Sequence, residues 1–419
     1  MAPASRGFQV LVKPIGALCN LRCAYCYYLA KGPLQAPGTP SRMTDDLLES
    51  YIVQHIEACP DEVIRFSWHG GEPTLLDLPF FQRVVALQRR HKPAGKRIDN
   101  GMQTNGTRLD DAWAHFLAEE YFSVGLSLDG PRSKHDLYRT SKDGRSSFDE
   151  TLRGFDILRR HGVAVDILCV VHAGNVEASS EVYGFFKALK APYVTFLPLV
   201  EPHPNTPSLV SKRSVPPAAW GEFLCAAFDE WAAGDIGRIK IQIFEEASRT
   251  AFGQDHSLCI FRPVCGDIPV VEHNGDFYSC DHYVDAEHHL GNIGETPLSE
   301  LIDSPAQRAF GLAKRNSLPR VCLACDVLAM CNGECPKNRI LTAPDGESGL
   351  NYLCSGYKRF FNHCRPFVKA VAAEWRRQTA MAGKKAEAEG RPGRKAPTPE
   401  RNARCPCGSR RKFKKCCGA

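Results

Sequence analysis

The chain has 419 residues, 43% of them hydrophobic, enough for two or three domains with buried cores and incompatible with disorder of the whole. Its 19 cysteines would suit a disulfide scaffold only in a short secreted chain, and Met1 to Arg6 lead straight into a strand pattern without the apolar core of a signal peptide. The net charge of +6 is uneven: residues from Arg376 onward carry 14 Lys and Arg against 3 Asp and Glu, so the preceding body is net acidic, which argues against nucleic acid as its substrate.

Strand patterns at 8–13, 62–68, 97–103, 122–128, 163–171 and 193–199 alternate with helical periodicity at 44–58, 77–91, 109–120, 147–161, 175–190 and 216–233. Six βα units in a row predict a parallel sheet with helices outside it. No run reaches the ~18 apolar residues of a membrane span, so a cytoplasmic chain with cysteines serving as metal ligands is expected. From about residue 250 to Cys354 the segments become short and rich in Cys, Gly and Asn, followed by an amphipathic helix over 356–378 and a solvated linker over 379–402. Cys59, Cys169, Cys225 and Cys364 lie in helical or strand patterns and read as small buried hydrophobes.

Cys19, Cys23 and Cys26 follow the first strand, on the loop where α/β folds place their chemistry. An iron–sulfur cube closes with four thiolates, so a C-x3-C-x2-C triplet leaves one iron open to a substrate or cofactor; a zinc knuckle is the alternative for three thiols alone. After the second strand comes His69-Gly70-Gly71-Glu72-Pro73, whose glycines let the backbone approach a ligand and whose carboxylate suits an ammonium group. Gln103 to Thr107, Gly125 to Pro131 and His135 to Arg139 place further polar groups at successive strand ends, although Asp129-Gly130-Pro131 also reads as a plain turn.

Downstream, Cys259, Cys265, Cys280, Cys322, Cys325, Cys331, Cys335 and Cys354 supply two complete sets of four thiolates, with zinc ribbons as the alternative. Asp281 directly follows one of them. Cys405, Cys407, Cys416 and Cys417 form C-x-C-x8-C-C, two close pairs suited to one tetrahedral zinc, without which so short a unit could scarcely fold.

Over about residues 8–370 these motifs resemble the radical S-adenosylmethionine (SAM) enzymes that carry a SPASM domain, and most closely the anaerobic sulfatase-maturating enzymes. The chain's end resembles the SEC-C motif. The resemblance implies an α/β fold: a partial, TIM-like (β/α)6 radical SAM barrel over 1–235, a SPASM domain over 236–378, the linker, and a zinc-binding motif over 403–419. It implies a 4Fe–4S cluster on Cys19, Cys23 and Cys26 that chelates and splits SAM, with cofactor contacts from Tyr25, Gly70, Gly71, Glu72, Ser127, Arg139 and Val200. By the same analogy Cys259, Cys265, Cys280 and Cys335 hold a near auxiliary cluster, and Cys322, Cys325, Cys331 and Cys354 a far one. Asp281 is the implied general base, and Tyr28 and His69 the implied substrate contacts; His69 stands where some relatives carry glutamine.

The implied reaction is oxidation of a Cys or Ser, in an unfolded sulfatase segment of the Cys/Ser-x-Pro/Ala-x-Arg type, to Cα-formylglycine. Flavodoxin or ferredoxin would supply electrons, and an export chaperone or the ribosome would bind the basic zinc tail. No membrane partner and a monomeric chain are expected. A SPASM maturase making thioether or carbon–carbon crosslinks is the second reading, with little room before the first strand for a peptide-recognition domain. A noncatalytic metal-binding export adaptor is a third, against which the intact SAM motifs stand.

Overall fold

The computed structural model describes residues 2–30, 42–203 and 206–388. Six strands, β1 (Leu11–Lys13), β2 (Val63–Trp68), β3 (Arg97–Thr104), β4 (Ser123–Ser127), β5 (Ala164–Val171) and β6 (Tyr193–Pro198), pair in parallel in chain order. Between and after them run α1 (Asp45–Ala58), α2 (Asp77–His91), α3 (Asp111–Glu119), the short α4 (Arg132–His135), α5 (Phe148–Arg160), α6 (Ser179–Ala188) and α7 (Pro217–Gly234). The period-2 alternation of the strands decides what faces these helices. On β5, Val165, Ile167, Cys169 and Val171 are buried while Asp166, Leu168 and Val170 are half-buried on the opposite, inner face. On β2, Phe66 and Trp68 pack edge-on against Tyr51 of α1 at 6.0 and 6.2 Å. Sealing of the helix-facing side leaves the inner face and the strand ends for chemistry.

The sheet does not stop at six strands. After an antiparallel hairpin of β7 (Pro202–His203) and β8 (Thr206–Val210), β9 (Lys240–Ile241) pairs with β6. At the other edge β10 (Val270–Glu272) pairs in parallel with β1, placing Glu272 beside Lys13, and β11 (Asp276–Tyr278) and β12 (His289–Asn292) extend it antiparallel. The boundary expected at 235 therefore falls inside one continuous ten-stranded sheet with β12 and β9 at its edges. Helices α8 (Gln242–Arg249), α9 (Leu298–Ile302), α10 (Pro305–Asn316), α11 (Arg320–Leu323) and α12 (Leu328–Cys331) accompany the Cys-rich loops.

Residues up to Arg365 form one compact unit, and the described residues from Pro366 to Ala388 belong to a second. Helix α13 (Cys354–Ala388) corrects one expectation, because it continues past 378 into the segment read as linker. The Ala, Lys and Glu there are strong helix formers, and the polar composition that suggested a linker also suits an exposed helix. Cys59, Cys169, Cys225 and Cys364 are all buried. The zinc motif at 403–419 and its cysteines lie outside the described residues. Among the described residues no helix is long and apolar enough to cross a membrane.

Candidate active site

The loop after β1 carries Cys19, Cys23 and Cys26, and two neighbouring loops clamp it. Gly71 N donates to Gly16 O at 2.7 Å and Glu72 N to Leu18 O at 2.9 Å. A Cβ on Gly71 would stand 2.1 Å from Leu18 O, so this glycine lets the second loop sit on the cysteine loop's own backbone. That adds a packing reason for this glycine to the expected one, approach to a ligand.

Glu72 brings a correction. Its carboxylate is buried, with Oε1 accepting from Thr74 N, Thr74 Oγ1 and Thr104 Oγ1 at 3.0, 2.6 and 2.7 Å and Oε2 from Asn105 N at 2.8 Å. A carboxylate with four donors is a brace, not a partner held ready for an ammonium group. Burial lifts its pKa above the usual range although these donors oppose the shift. Asn105 carries the brace onward: its Nδ2 donates to Asn20 Oδ1 at 2.9 Å and reaches Cys19 Sγ at 3.8 Å.

On the other side, Arg22 N and Ala24 N donate to Thr140 O and Tyr138 O, both at 2.8 Å, which brings Arg139 against Cys23 and Tyr25. Arg139 Nε donates to Asp129 Oδ2 at 2.9 Å, its guanidinium lies 5.4 Å from the Tyr25 ring centre, and the Tyr25 hydroxyl also donates to Asp129. Asp129 is fully buried and its Oδ1 accepts from Val170 N at 2.9 Å. It is thus the hub of a buried network, where the sequence allowed a plain turn. Burial pushes its pKa up, but Arg139, His135 and the hydroxyl of Tyr25 outweigh that and hold it below the usual carboxylate range. Ser127 Oγ accepts from Gln103 Nε2 at 3.0 Å, and Val200 is buried after β6.

Asp281 forms an ion pair with Lys13 Nζ at 2.8 Å and accepts from the Tyr27 hydroxyl at 2.5 Å. Lys13 ends β1, is 1% exposed, and holds its ammonium 4.7 Å over the Tyr28 ring. Tyr28 is itself buried and donates to Glu272 Oε1 at 3.0 Å. Beside Tyr28, the expected substrate contact, the half-exposed tyrosine that reaches Asp281 is its neighbour Tyr27, which lies within electrostatic reach of both Cys26 and Cys280. His69 shares a 2.9 Å hydrogen bond with Ser67 Oγ, and burial together with Lys13 drives its pKa down to about 3, so the ring is neutral.

The remaining thiols fall into two sets. Cys259 neighbours Cys265, Cys280 neighbours both, and Cys335 neighbours Cys280. Cys322 neighbours Cys325 and Cys354, and Cys331 neighbours Cys322 and Cys354. Burial pushes Cys19, Cys280 and Cys331 up to about 12 and Cys23 and Cys259 up to about 11. Thiols raised this far stay protonated unless a metal centre takes up their charge, and soft sulfur donors in sets of three and four fit iron–sulfur clusters. Among the described residues no three His, Cys, Asp or Glu side chains converge on a single ion. A cube does not require that, since each thiolate takes a different iron.

A parallel βα sheet with a three-thiol loop after its first strand defines the class, and the radical SAM superfamily model matches residues 14–183. The iron–sulfur cluster-binding SPASM domain matches 264–326 and the SEC-C motif 401–419. The serine-type anaerobic sulfatase-maturating enzyme of Bacteroides thetaiotaomicron is 42% identical over 394 residues, 91% of this chain and 95% of the relative. The cysteine-type enzyme of Clostridium perfringens is 32% identical over 366 residues, 87% of this chain and 98% of the relative. The solved structure titled native anSMEcpe with bound AdoMet and Cp18Cys peptide superposes with a TM-score of 0.78 at 32% identity, covering 88% of this chain and 99% of that one. The chain belongs to the anaerobic sulfatase-maturating enzymes, which are radical SAM oxidoreductases of the SPASM type.

Gln103 and Asn105 lay in the strand-end stretch Gln103 to Thr107 without a role of their own, and Lys13 and Tyr27 were assigned none. Lys13 had a sequence signal, a charge closing a buried strand shortly before a candidate metal loop.

Proposed function

We propose that the chain oxidises a Ser or Cys of an unfolded sulfatase segment to Cα-formylglycine, with Asp281 as the proton acceptor. One observation carries this reading: Asp281, next to Cys280 in the chain, is held by Lys13 and Tyr27, and Tyr27 lies within electrostatic reach of both Cys26 and Cys280. When bound, a 4Fe–4S cluster on Cys19, Cys23 and Cys26 with SAM supplies the radical that removes a Cβ hydrogen, and an auxiliary cluster takes up the remaining electron. Lys13 pairs with Oδ1 and the Tyr27 hydroxyl donates to Oδ2, which together fix the orientation of the Asp281 carboxylate toward the substrate's hydroxyl or thiol proton. The neutral ring of His69 adds no second charge beside them, so it serves as a polar contact at the mouth. Arg139, Tyr25, Ser127 and Val200, with the backbone of Gly70 and Gly71, would orient SAM. The brace from Glu72 through Asn105 would keep the cysteine loop from shifting on binding.

Cys259, Cys265, Cys280 and Cys335 would hold the near auxiliary cluster and Cys322, Cys325, Cys331 and Cys354 the far one. The neighbour pattern of the thiols supports this division. Serine is the favoured target, because serine-type relatives reach 42% and 38% identity against 32% for the cysteine type. The SEC-C cysteines Cys405, Cys407, Cys416 and Cys417 would bind zinc and present a basic tail to an acidic partner, a chaperone or the ribosome. The working compartment would be the reducing cytoplasm, where thiol ligands persist. Residues 1–235 would form the radical SAM barrel and residues 236–378 the SPASM domain.

Coexpression with a serine-type sulfatase under anaerobic conditions, followed by mass spectrometry of its active-site peptide, tests the function. The expected product has lost two hydrogens and reacts as an aldehyde; a peptide recovered unchanged, or crosslinked, would overturn it. Deleting residues 400–419 should spare oxidation of a short peptide and weaken maturation of full-length sulfatase in cells.

A further inference from the structure

Helix α10 carries a stripe with no motif signature. Gln307, Gly311 and Lys314 stand at i, i+4 and i+7 and share one face, which lies on the loops of the near thiol set. Gln307 Nε2 donates to Gly266 O at 2.9 Å and Ser279 O at 3.0 Å, the residues beside Cys265 and Cys280. Cys265 N donates to Gly311 O at 3.1 Å, and a Cβ at Gly311 would stand 2.5 Å from Cys265 O. Lys314, 1% exposed, donates to Cys259 O and Ile260 O, both at 2.7 Å. The Lys314 carbonyl in turn accepts from Arg339 Nη1 at 2.6 Å, and Arg339 also holds Gly333 O at 3.0 Å and Asn332 O at 3.1 Å, between Cys331 and Cys335.

The ammonium of Lys314 is thus pinned to neutral carbonyls; burial lowers its pKa, and Cys265, Cys259 and Cys335, as thiolates, would raise it. Glu334 raises it less, and gives its carboxylate to Asn351 at 2.6 Å and Asn338 at 3.0 Å.

We propose that Lys314 is a positioning residue that sets the reduction potential of the near auxiliary cluster, its buried ammonium favouring the reduced state and making this cluster the first acceptor of the substrate's electron. The proposal rests on the reading that Cys259, Cys265, Cys280 and Cys335 hold a 4Fe–4S cluster. A cube on four thiolates is anionic and gains one further negative charge on reduction, so a fixed cation at short range in a low-dielectric interior stabilises the reduced form. The balance closes: the substrate carbon radical loses one electron to the oxidised cluster and the hydroxyl proton to Asp281, and the carbon–oxygen double bond forms.

The test is an EPR-monitored redox titration, with iron analysis, of the full-length reconstituted wild type, Lys314→Met and Lys314→Arg. Lys314→Met should keep its iron and move one auxiliary signal to more negative potential. At a fixed potential the ratio of reduced to oxidised near cluster should fall by about tenfold or more, 59 mV for one electron, and Lys314→Arg should restore it. An intact near cluster at the wild-type potential in Lys314→Met overturns the proposal. Should Lys314→Met lose that cluster's iron, Lys314→Gln, which keeps a donor without the charge, decides: a retained cluster at shifted potential sustains the proposal, while an unshifted potential or lost iron overturns it. Wild-type protein without any auxiliary cluster would instead refute the reading of the thiol set.

Discussion

Arg139 and Lys314 are both buried cations set against cysteine thiols, and they are neutralised differently. Arg139 gives its Nε to the fully buried carboxylate of Asp129, so the first thiol set sees a paired charge. Lys314 gives its ammonium to two carbonyls, and no carboxylate among the described residues pairs with it directly. The difference matches the opposite electronic tasks proposed for the two sets. A cluster that must donate an electron to SAM gains nothing from an uncompensated cation that would stabilise its reduced form, whereas an electron acceptor does. The scaffolds differ as well: side chains from separate strand-end loops clamp the first site, and one helix face organises the second.

The sharpest way to separate the two regions is to remove one. Replacing Cys19, Cys23 and Cys26 by Ala should abolish 5′-deoxyadenosine formation while sparing the auxiliary sets, so iron analysis should show a loss of about four of roughly twelve irons. Cleavage of SAM persisting in that variant would mean the open iron lies elsewhere. Asp281→Asn, nearly isosteric and unable to accept the proton, should lower peptide oxidation by about 10²–10⁴-fold with SAM cleavage retained. A wild-type rate of aldehyde formation would return the base role to another group.

Asp129→Asn tests the paired cation. It leaves Arg139 buried with no ionised partner, and breaking such a pair costs about 3–5 kcal/mol, read as a lower denaturant midpoint. Because the folded pKa of Asp129 is depressed, its stabilisation is complete above the ordinary carboxylate value of about 4 and drains away as pH falls through the folded value. The wild type should therefore lose part of its advantage over Asp129→Asn on acidification; a constant gap would remove the pair from the stability account.

Gly71→Ala places a methyl group against Leu18 O and should cost about 1–3 kcal/mol by overpacking, seen as a lowered midpoint and weaker SAM binding. The smallest effect belongs to Tyr27→Phe, which removes one hydrogen bond to Asp281, worth about 1 kcal/mol. Peptide oxidation should fall about fivefold with the iron content unchanged.

Much of the fold was legible because hydrophobic periodicity is local. The six βα units were predicted at 8–13 through 193–199 and observed within a few residues of those bounds, except β1, which is regular only over Leu11–Lys13. The cysteine arrays were legible through their spacing, whereas the division of the downstream eight into two sets came from the resemblance. What escaped the sequence depends on contacts between distant segments. Glu72 looks like a ligand carboxylate until Thr104 and Asn105, a strand away, are seen to occupy it. Tyr27 and Tyr28 are adjacent in a single 3-10 turn, and only the position of Asp281, far along the chain, tells which faces the mouth. Gln307, Gly311 and Lys314 spell no motif, since their partners are backbone carbonyls that any sequence supplies.

The most direct test of the account is label transfer. A peptide with serine in the sulfatase motif, deuterated at Cβ, is incubated anaerobically with reconstituted enzyme, SAM and a low-potential reductant. The account predicts deuterium in the 5′-deoxyadenosine and an aldehyde at the former serine, formed together. Unlabelled 5′-deoxyadenosine alongside unchanged peptide, or label transfer ending in a crosslink without aldehyde, would contradict it.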